Sequence, residues 1–316
     1  MIAGPKVLGL NGFGLEVPDL AAARTFYETF GLEVAAQRGP DEPSGALRLR
    51  SPGRSNDELV LVPGSAKRLH HLSFYFDPLQ RDAFADRLGR AGLAVRDQPP
   101  PGGGRDGLWF QDPWGTWIHL CPQLPASTRR REGGPGDAGW AARVDVAAWQ
   151  ALDAPRPPRK LGHVLIFTPQ LAEAERFLCD VLGLRVADRA VGKVSFLAAG
   201  DGVIDHHCFG LVHSTHRGFQ HASFQVGGID DIGLGAWRMR EAGYRDSFGP
   251  GRHALASNLF QYARDPWGSW VEYYADMDKI SERWVSRDWS VLPYIWGPEW
   301  SPEFWGGEMN ANLEPR

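Results

Sequence analysis

The sequence predicts an α+β fold of two tandem modules, each made of paired βαβββ repeats curved into an incomplete β-barrel around a cavity, with a Trp-rich C-terminal tail. Two observations carry that prediction. The chain repeats itself: Asp112-Pro113-Trp114-Gly115-Thr116-Trp117-Ile118 returns as Asp265-Pro266-Trp267-Gly268-Ser269-Trp270-Val271, and His71-Leu72-Ser73-Phe74 returns as His221-Ala222-Ser223-Phe224, each about 150 residues later. Each copy also orders its signals alike, as strand, helix, then strands. A chain of 316 residues is long enough for two domains, each with its own core.

The elements follow in order. Val17-Pro18-Asp19-Leu20 opens a stretch with apolar residues at helical spacing that runs from Leu20 to Phe30 and stops at Gly31. Its counterpart opens at Thr168-Pro169-Gln170-Leu171 and runs to Leu182 before Gly183. A second helix in each half is expected over roughly 79–91 and 229–242, ending at Gly92 and Gly243. The Asp-Pro-Trp-Gly segments read as turns, because Pro presets φ and Gly tolerates positive φ. Each turn feeds a final strand rich in Trp, Ile, Val or Tyr.

This organisation gives a first module over 1–125, a linker over 126–158, a second module over 159–276 and a tail over 277–316. The linker holds Pro, Gly-Gly-Pro-Gly and Arg129-Arg130-Arg131, with room for one short helix over 144–152. The tail interleaves Trp284, Trp289, Trp296, Trp300 and Trp305 with Pro and Gly. Their large surfaces are expected to be buried.

Composition excludes several classes of function. A net charge of -4 argues against a nucleic-acid partner, which selects basic surfaces. No apolar run reaches the roughly 18 residues that suggest a membrane span. Three widely spaced cysteines form no disulfide framework and no zinc pattern. With no leader-like N-terminus, a cytoplasmic location is expected.

The chemistry concentrates in the second module. Seven of the ten histidines fall between positions 163 and 253. His163, His221 and Glu272 sit in three strand-like segments more than fifty residues apart, so a fold must bring them together. Two imidazoles and a carboxylate can occupy one face of a divalent metal and leave the other open, as in a non-heme Fe(II) oxygenase. Strand alternation sets His221, Ser223 and Gln225 on one face, and Trp270, Glu272 and Tyr274 on one face of the next segment. His207, His253 and Tyr262 lie in the same region. Any one of these residues alone reads as a satisfied core or turn residue; the set carries the inference.

Together these residues resemble the type I extradiol catechol dioxygenases of the vicinal-oxygen-chelate superfamily, over the whole chain except the linker. The resemblance implies metal ligands at His163, His221 and Glu272, an acid–base histidine at His207, and catalytic partners at His253 and Tyr262. His206 is the second choice for the acid–base role, since alternation sends it to the opposite face. The first module has Gly12, His71 and His119 at the ligand positions, so no catalytic metal is expected there. The activity implied is ring opening of a catechol by O2 in aromatic-compound catabolism, with Fe(II) as cofactor and Mn(II) as the alternative, in a homo-oligomer. A glyoxalase- or epimerase-like enzyme on another metal and a non-enzymatic small-molecule binder remain the competing readings.

Overall fold

A computed structural model describes residues 4–35, 45–124, 156–290, 294–299 and 304. The expected linker helix, the Arg129-Arg130-Arg131 run, Trp300 and Trp305 lie outside the described residues.

The first sheet contains β1 (Val7–Val17), β2 (Glu33–Val34), β3 (Leu47–Arg50), β4 (Leu59–Pro63), β5 (Arg68–Phe76), β6 (Leu108–Gln111) and β7 (Trp117–Cys121), in the order β2-β3-β4-β1-β5-β7-β6. The second sheet is assembled from β8 (Lys160–Thr168), β9 (Arg185–Ala190), β10 (Val194–Ala198), β12 (Phe209–His213), β13 (Gly218–Gln225), β14 (Ser247–His253), β15 (Leu259–Arg264) and β16 (Trp270–Ala275). Its order β9-β10-β12-β8-β13-β16-β15 repeats that of the first sheet strand for strand. Each sheet is open, with the first strands of its two halves antiparallel at the centre. Three strands are added beyond the repeat: β14, β18 (Asp288–Trp289) and β19 (Tyr294–Trp296). β14 and β19 extend one edge and β18 the other. A separate ribbon pairs β11 (Ile204–Asp205) with β17 (Lys279–Ile280).

Helix α1 (Leu20–Phe30) shows why the sequence folds this way locally. The Asp19 carboxylate caps it by accepting from the Ala21 and Ala22 amides at 2.8 and 3.0 Å. Ala23, Phe26, Tyr27 and Phe30 form its buried face, and Gly31 ends it at φ 111°, a left-handed conformation that glycine adopts without strain. The Phe30 ring stacks on Tyr273 of the other module at 3.9 Å, so truncating it to Ala should cost about 3–5 kcal/mol. Helices α2 (Arg81–Arg90) and α4 (Ile229–Glu241) match the expected second helices, α2 being preceded by a 3-10 turn at Pro78–Gln80. The stretch expected to be one helix from Leu171 to Leu182 is helix α3 (Leu171–Phe177) followed by a π turn over Leu178–Leu182.

The modules share one hydrophobic core. Two equivalent ion pairs join them reciprocally. Lys67 of the first module meets Asp265 in the second module's Asp-Pro-Trp-Gly turn, while Arg217 of the second lies 3.7 Å from Asp112 in the first module's turn. Asp112 and Asp265 also hold their own turns, each accepting from the amides two and four residues on. The motif that reveals the repeat therefore also makes the joint between its copies.

The tail departs from expectation. Trp284 is 38% and Trp296 45% exposed, although burial was expected of both. One side of Trp284 is satisfied: its Nε1 donates to the Ala187 carbonyl at 3.0 Å, and its ring meets His206 edge-on. Trp296 ends the three-residue edge strand β19, and Trp284 lies outside any strand, ahead of β18. No helix among the described residues is long and apolar enough to cross a membrane.

Candidate metal centre

β8, β13 and β16 are neighbours at the centre of the second sheet. In register, Ser223 pairs with both His163 and Glu272, and His221 lies two residues before it on the same face. His163, His221 and Glu272 thereby converge, with candidate ligand atoms all within 4.8 Å of one another. The Glu272 carboxylate places Oε2 at 3.1 Å from His163 Nε2 and 3.4 Å from His221 Nε2. Its other oxygen, Oε1, accepts from Asn258 Nδ2 at 3.3 Å and lies 3.5 Å from His253 Nε2.

The electrostatics of this cluster call for a cation. Glu272 is fully buried, and no Lys or Arg pairs with it among the described residues. Burial alone would raise its carboxyl, but the facing His163, His221 and His253 rings outweigh it and hold the group well below the usual range. Burial pushes His221 down to about 4, so near neutrality its ring is an uncharged ligand. His163 Nδ1 and His221 Nε2 are buried without a hydrogen-bond partner. A buried carboxylate facing two imidazoles, with the unpartnered His221 Nε2 beside it, fits a divalent metal.

His207 lies where β11 hands over to β12. It lines the cavity, and its ring is 4.5 Å from that of His163 and 4.4 Å from that of Phe196. Burial, reinforced by the neighbouring His163 and His206, pushes its imidazole well below the ordinary range. His206 is fully buried behind it, with Nδ1 3.1 Å from His207 Nδ1 and Nε2 2.9 Å from Asp188 Oδ2. A carboxylate can only accept, so His206 carries its proton on Nε2. Where His206 Nδ1 accepts from His207 Nδ1, the lone pair of His207 lies on Nε2. His253 ends β14, and its Nε2 is 3.2 Å from Tyr262 Oη. Burial and then the Glu272 charge raise the Tyr262 phenol well above its ordinary range. Five of the six expected residues thus border one space, and Glu272 is buried against their imidazoles.

That space is a cavity of about 490 Å3 with His163, His207, His221, His253 and Tyr262 on its polar side. Leu165, Val194, Phe196, Val212 and Phe304 make apolar walls, and Lys193 and His213 stand at an exposed rim. Sequence reasoning missed Asn258, Gln220 and Phe304. Asn258 gives no periodic signal, and Phe304 is remote in sequence. Gln220 was hidden by the alternation rule, which sends the neighbour of His221 to the opposite face.

Comparison with known proteins completes the description. The family model described as Glyoxalase/Bleomycin resistance protein/Dioxygenase superfamily matches residues 9–120 and again 160–273. The Cupriavidus necator protein named Metapyrocatechase 2 is 37% identical over 308 residues, covering 94% of this chain and 91% of its own length. An iron-dependent extradiol dioxygenase of Rhodococcus jostii (strain RHA1) is 29% identical over 309 residues, covering 91% and 95%. The solved structure of an extradiol ring-cleaving dioxygenase from B. fuscum shares the fold, with a TM-score of 0.75 at 20% identity over 96% of this chain and 82% of that one.

Proposed function

The chain belongs to the Glyoxalase/Bleomycin resistance protein/Dioxygenase superfamily, and from that premise we propose that it is an extradiol dioxygenase, an oxidoreductase that opens a catecholic ring with O2 beside the two hydroxyls. One observation carries the reading: a buried carboxylate and two imidazoles converge at the wall of a largely apolar cavity large enough for a substituted aromatic ring. Residues 159–276 are its catalytic module, 1–125 a non-catalytic module, 126–158 a linker and 277–316 a tail.

His163, His221 and Glu272 would hold the metal, which is Fe(II) in this reading, in keeping with the name of the Rhodococcus relative; Mn(II) accepts the same donors. When bound, the metal supplies Lewis acidity, a template and a redox link between catechol and O2. The protein supplies the rest. Tyr262 Oη and His253 Nε2, already 3.2 Å apart, hydrogen-bond the catechol oxygen that loses its proton. His207 Nε2 takes that proton and returns it to oxygen as the ring opens. The walls of Leu165, Phe196 and Phe304 keep water from the reacting atoms. Apolar side chains are exposed towards both edges of the second sheet, Trp284 and Val285 beside β9 and Ile295 and Trp296 on β19, which suits a homo-oligomer, and a cytoplasmic setting fits the three free cysteines.

Anaerobic reconstitution with Fe(II), followed by air and a catechol, tests the reading. A yellow ring-fission product with stoichiometric O2 uptake is expected. Bound metal without O2 uptake on a panel of mono- and bicyclic catechols, with turnover of a thiohemiacetal instead, would replace it by glyoxalase-type chemistry.

A further inference from the structure

We infer that Gln220 is a positioning residue that ties the metal ligand His221 to Phe304 of the C-terminal tail, so that tail docking and metal affinity are coupled. The inference rests on the metal-site reading above and concerns what sets that site from behind.

The first support is a backbone irregularity. On β13, Phe219 pairs with Ile166 and His221 with Leu165, the next residue of β8, so Gln220 is the extra residue of a β-bulge. Regular alternation would send Gln220 away from His221. The bulge instead sets both side chains together: Gln220 Oε1 is hydrogen-bonded to His221 Nδ1, and Gln220 is fully buried.

The second support is the far end of the amide. Gln220 Nε2 donates to the Phe304 carbonyl at 3.4 Å. A backbone carbonyl can only accept, so it dictates which end of the amide faces it. Oε1 must then face His221, which must donate from Nδ1. That leaves the lone pair on His221 Nε2, the unpartnered nitrogen beside Glu272. A carbonyl in the tail thus selects the metal-binding tautomer of a ligand more than eighty residues earlier. Phe304 reinforces the contact with its ring, which is 6.0 Å from His221 and 5.0 Å from Tyr262.

The third support is the other module. His70 is the extra residue of an equivalent bulge, between the Leu15–Leu69 and Gly14–His71 pairs. Its Nδ1 lies 2.8 Å from His71 Nδ1, and it also hydrogen-bonds the Pro101 backbone. Both copies therefore use the bulge residue to connect the ligand-position histidine to a backbone group. Only the second takes that group from the tail.

Metal affinity is the readout, measured on the full-length chain anaerobically by competition with a chromogenic Fe(II) chelator and repeated with Mn(II). Gln220→Leu should weaken binding about 10–100-fold, the usual effect of losing a hydrogen-bond partner behind a ligand. Gln220→Glu, whose carboxylate still accepts from Nδ1 but cannot donate to the Phe304 carbonyl, should recover only part of it. A chain ending at Glu299 should also bind more weakly, and adding Gln220→Leu to it should cost little more, because both changes break one connection. Limited proteolysis gives an independent measure should the shortened chain fail to fold. Metal should slow cleavage of the tail in the unmodified protein and not in Gln220→Leu. Equal metal affinity in Gln220→Leu, additive losses, or tail cleavage indifferent to metal would each overturn the inference while leaving the metal site intact. A full-length chain that takes up neither metal would overturn the site reading and this inference with it.

Discussion

The two modules present the same sheet twice and, among the described residues, cavities of very different size. At the positions of His163, His221 and Glu272 the first module carries Gly12, His71 and His119, which hold the same register: Gly12 and His119 both pair with Ser73. The cavity there is about 80 Å3 against about 490 Å3. Trp109, at the position of Tyr262, fills the difference by stacking on His119 at 4.4 Å and donating to the Gly104 carbonyl. In place of β14, the strand that delivers His253, the first module has a single bridge between Arg96 and Trp109. His71 lies over Gly14, where a side chain would collide with its ring; the matching residue in the second module is Leu165. A duplicated sheet thus conserves where side chains project. The residue types, and one added strand, decide whether the space between them is filled or kept for a ligand.

The largest expected effect removes the difference at its centre. Glu272→Ala should bind almost no metal and lose ring cleavage with it, because two neutral imidazoles remain without a charge to hold a cation. Metal stoichiometry on the purified protein checks this. The reverse experiment, Gly12→His with His119→Glu, should not create a second site. A Cβ at residue 12 would lie 2.5 Å from the Asp57 carbonyl, and Trp109 still occupies the cavity. A chain with that pair of changes and two metals bound would break the comparison.

Next comes the proton. His207→Asn should keep its metal but turn over about 10²–10⁴ times more slowly, the usual contribution of a positioned acid–base group. Single-turnover kinetics with metal analysis separates the two effects. Asp188→Asn should lose less, since it acts only by orienting His206. A larger defect from Asp188→Asn or from His206→Asn would transfer the proton role away from His207.

The reciprocal ion pairs sharpen the comparison on stability. Lys67→Met leaves the Asp265 carboxylate buried and unpaired, and should destabilise by about 3–5 kcal/mol. Arg217→Met should cost less, because its pair with Asp112 is longer, at 3.7 Å. Urea unfolding midpoints of the two variants decide the order.

The smallest effect is in pH dependence. Burial pushes His70 down from its ordinary 6.5 to about 4, partly opposed by its bond to the Pro101 backbone. Between those values the unfolded chain binds a proton that the folded chain refuses, so this contribution is whole above pH 6.5 and falls as pH drops toward 4. His70→Gln, which copies the second module's residue, should make the melting temperature of the metal-free protein fall less between pH 7 and pH 5. An unchanged slope would show that His70 is not a source of it.

Much of this was legible in the chain. The Asp-Pro-Trp-Gly and His-x-Ser-Phe repeats disclosed two copies of one sheet, because a turn needs Pro and Gly at set offsets and a buried strand needs apolar alternation. The candidate ligands were readable for a similar reason: His163, His221 and Glu272 stand at matching places in neighbouring strands, paired through Ser223. Tertiary structure alone decided the rest. A one-residue bulge reverses the side of Gln220, and bulges leave no mark in alternation. Phe304 and Asp188 reach the site from distant segments, and only packing sets which carbonyl or carboxylate meets which imidazole. The exposure of Trp284 and Trp296 likewise depends on what packs against them and not on residue type. Sequence determines what each strand can present; the long-range contacts determine which groups meet, because hydrogen bonds and buried charges act over a few ångströms of space and not over positions in a chain.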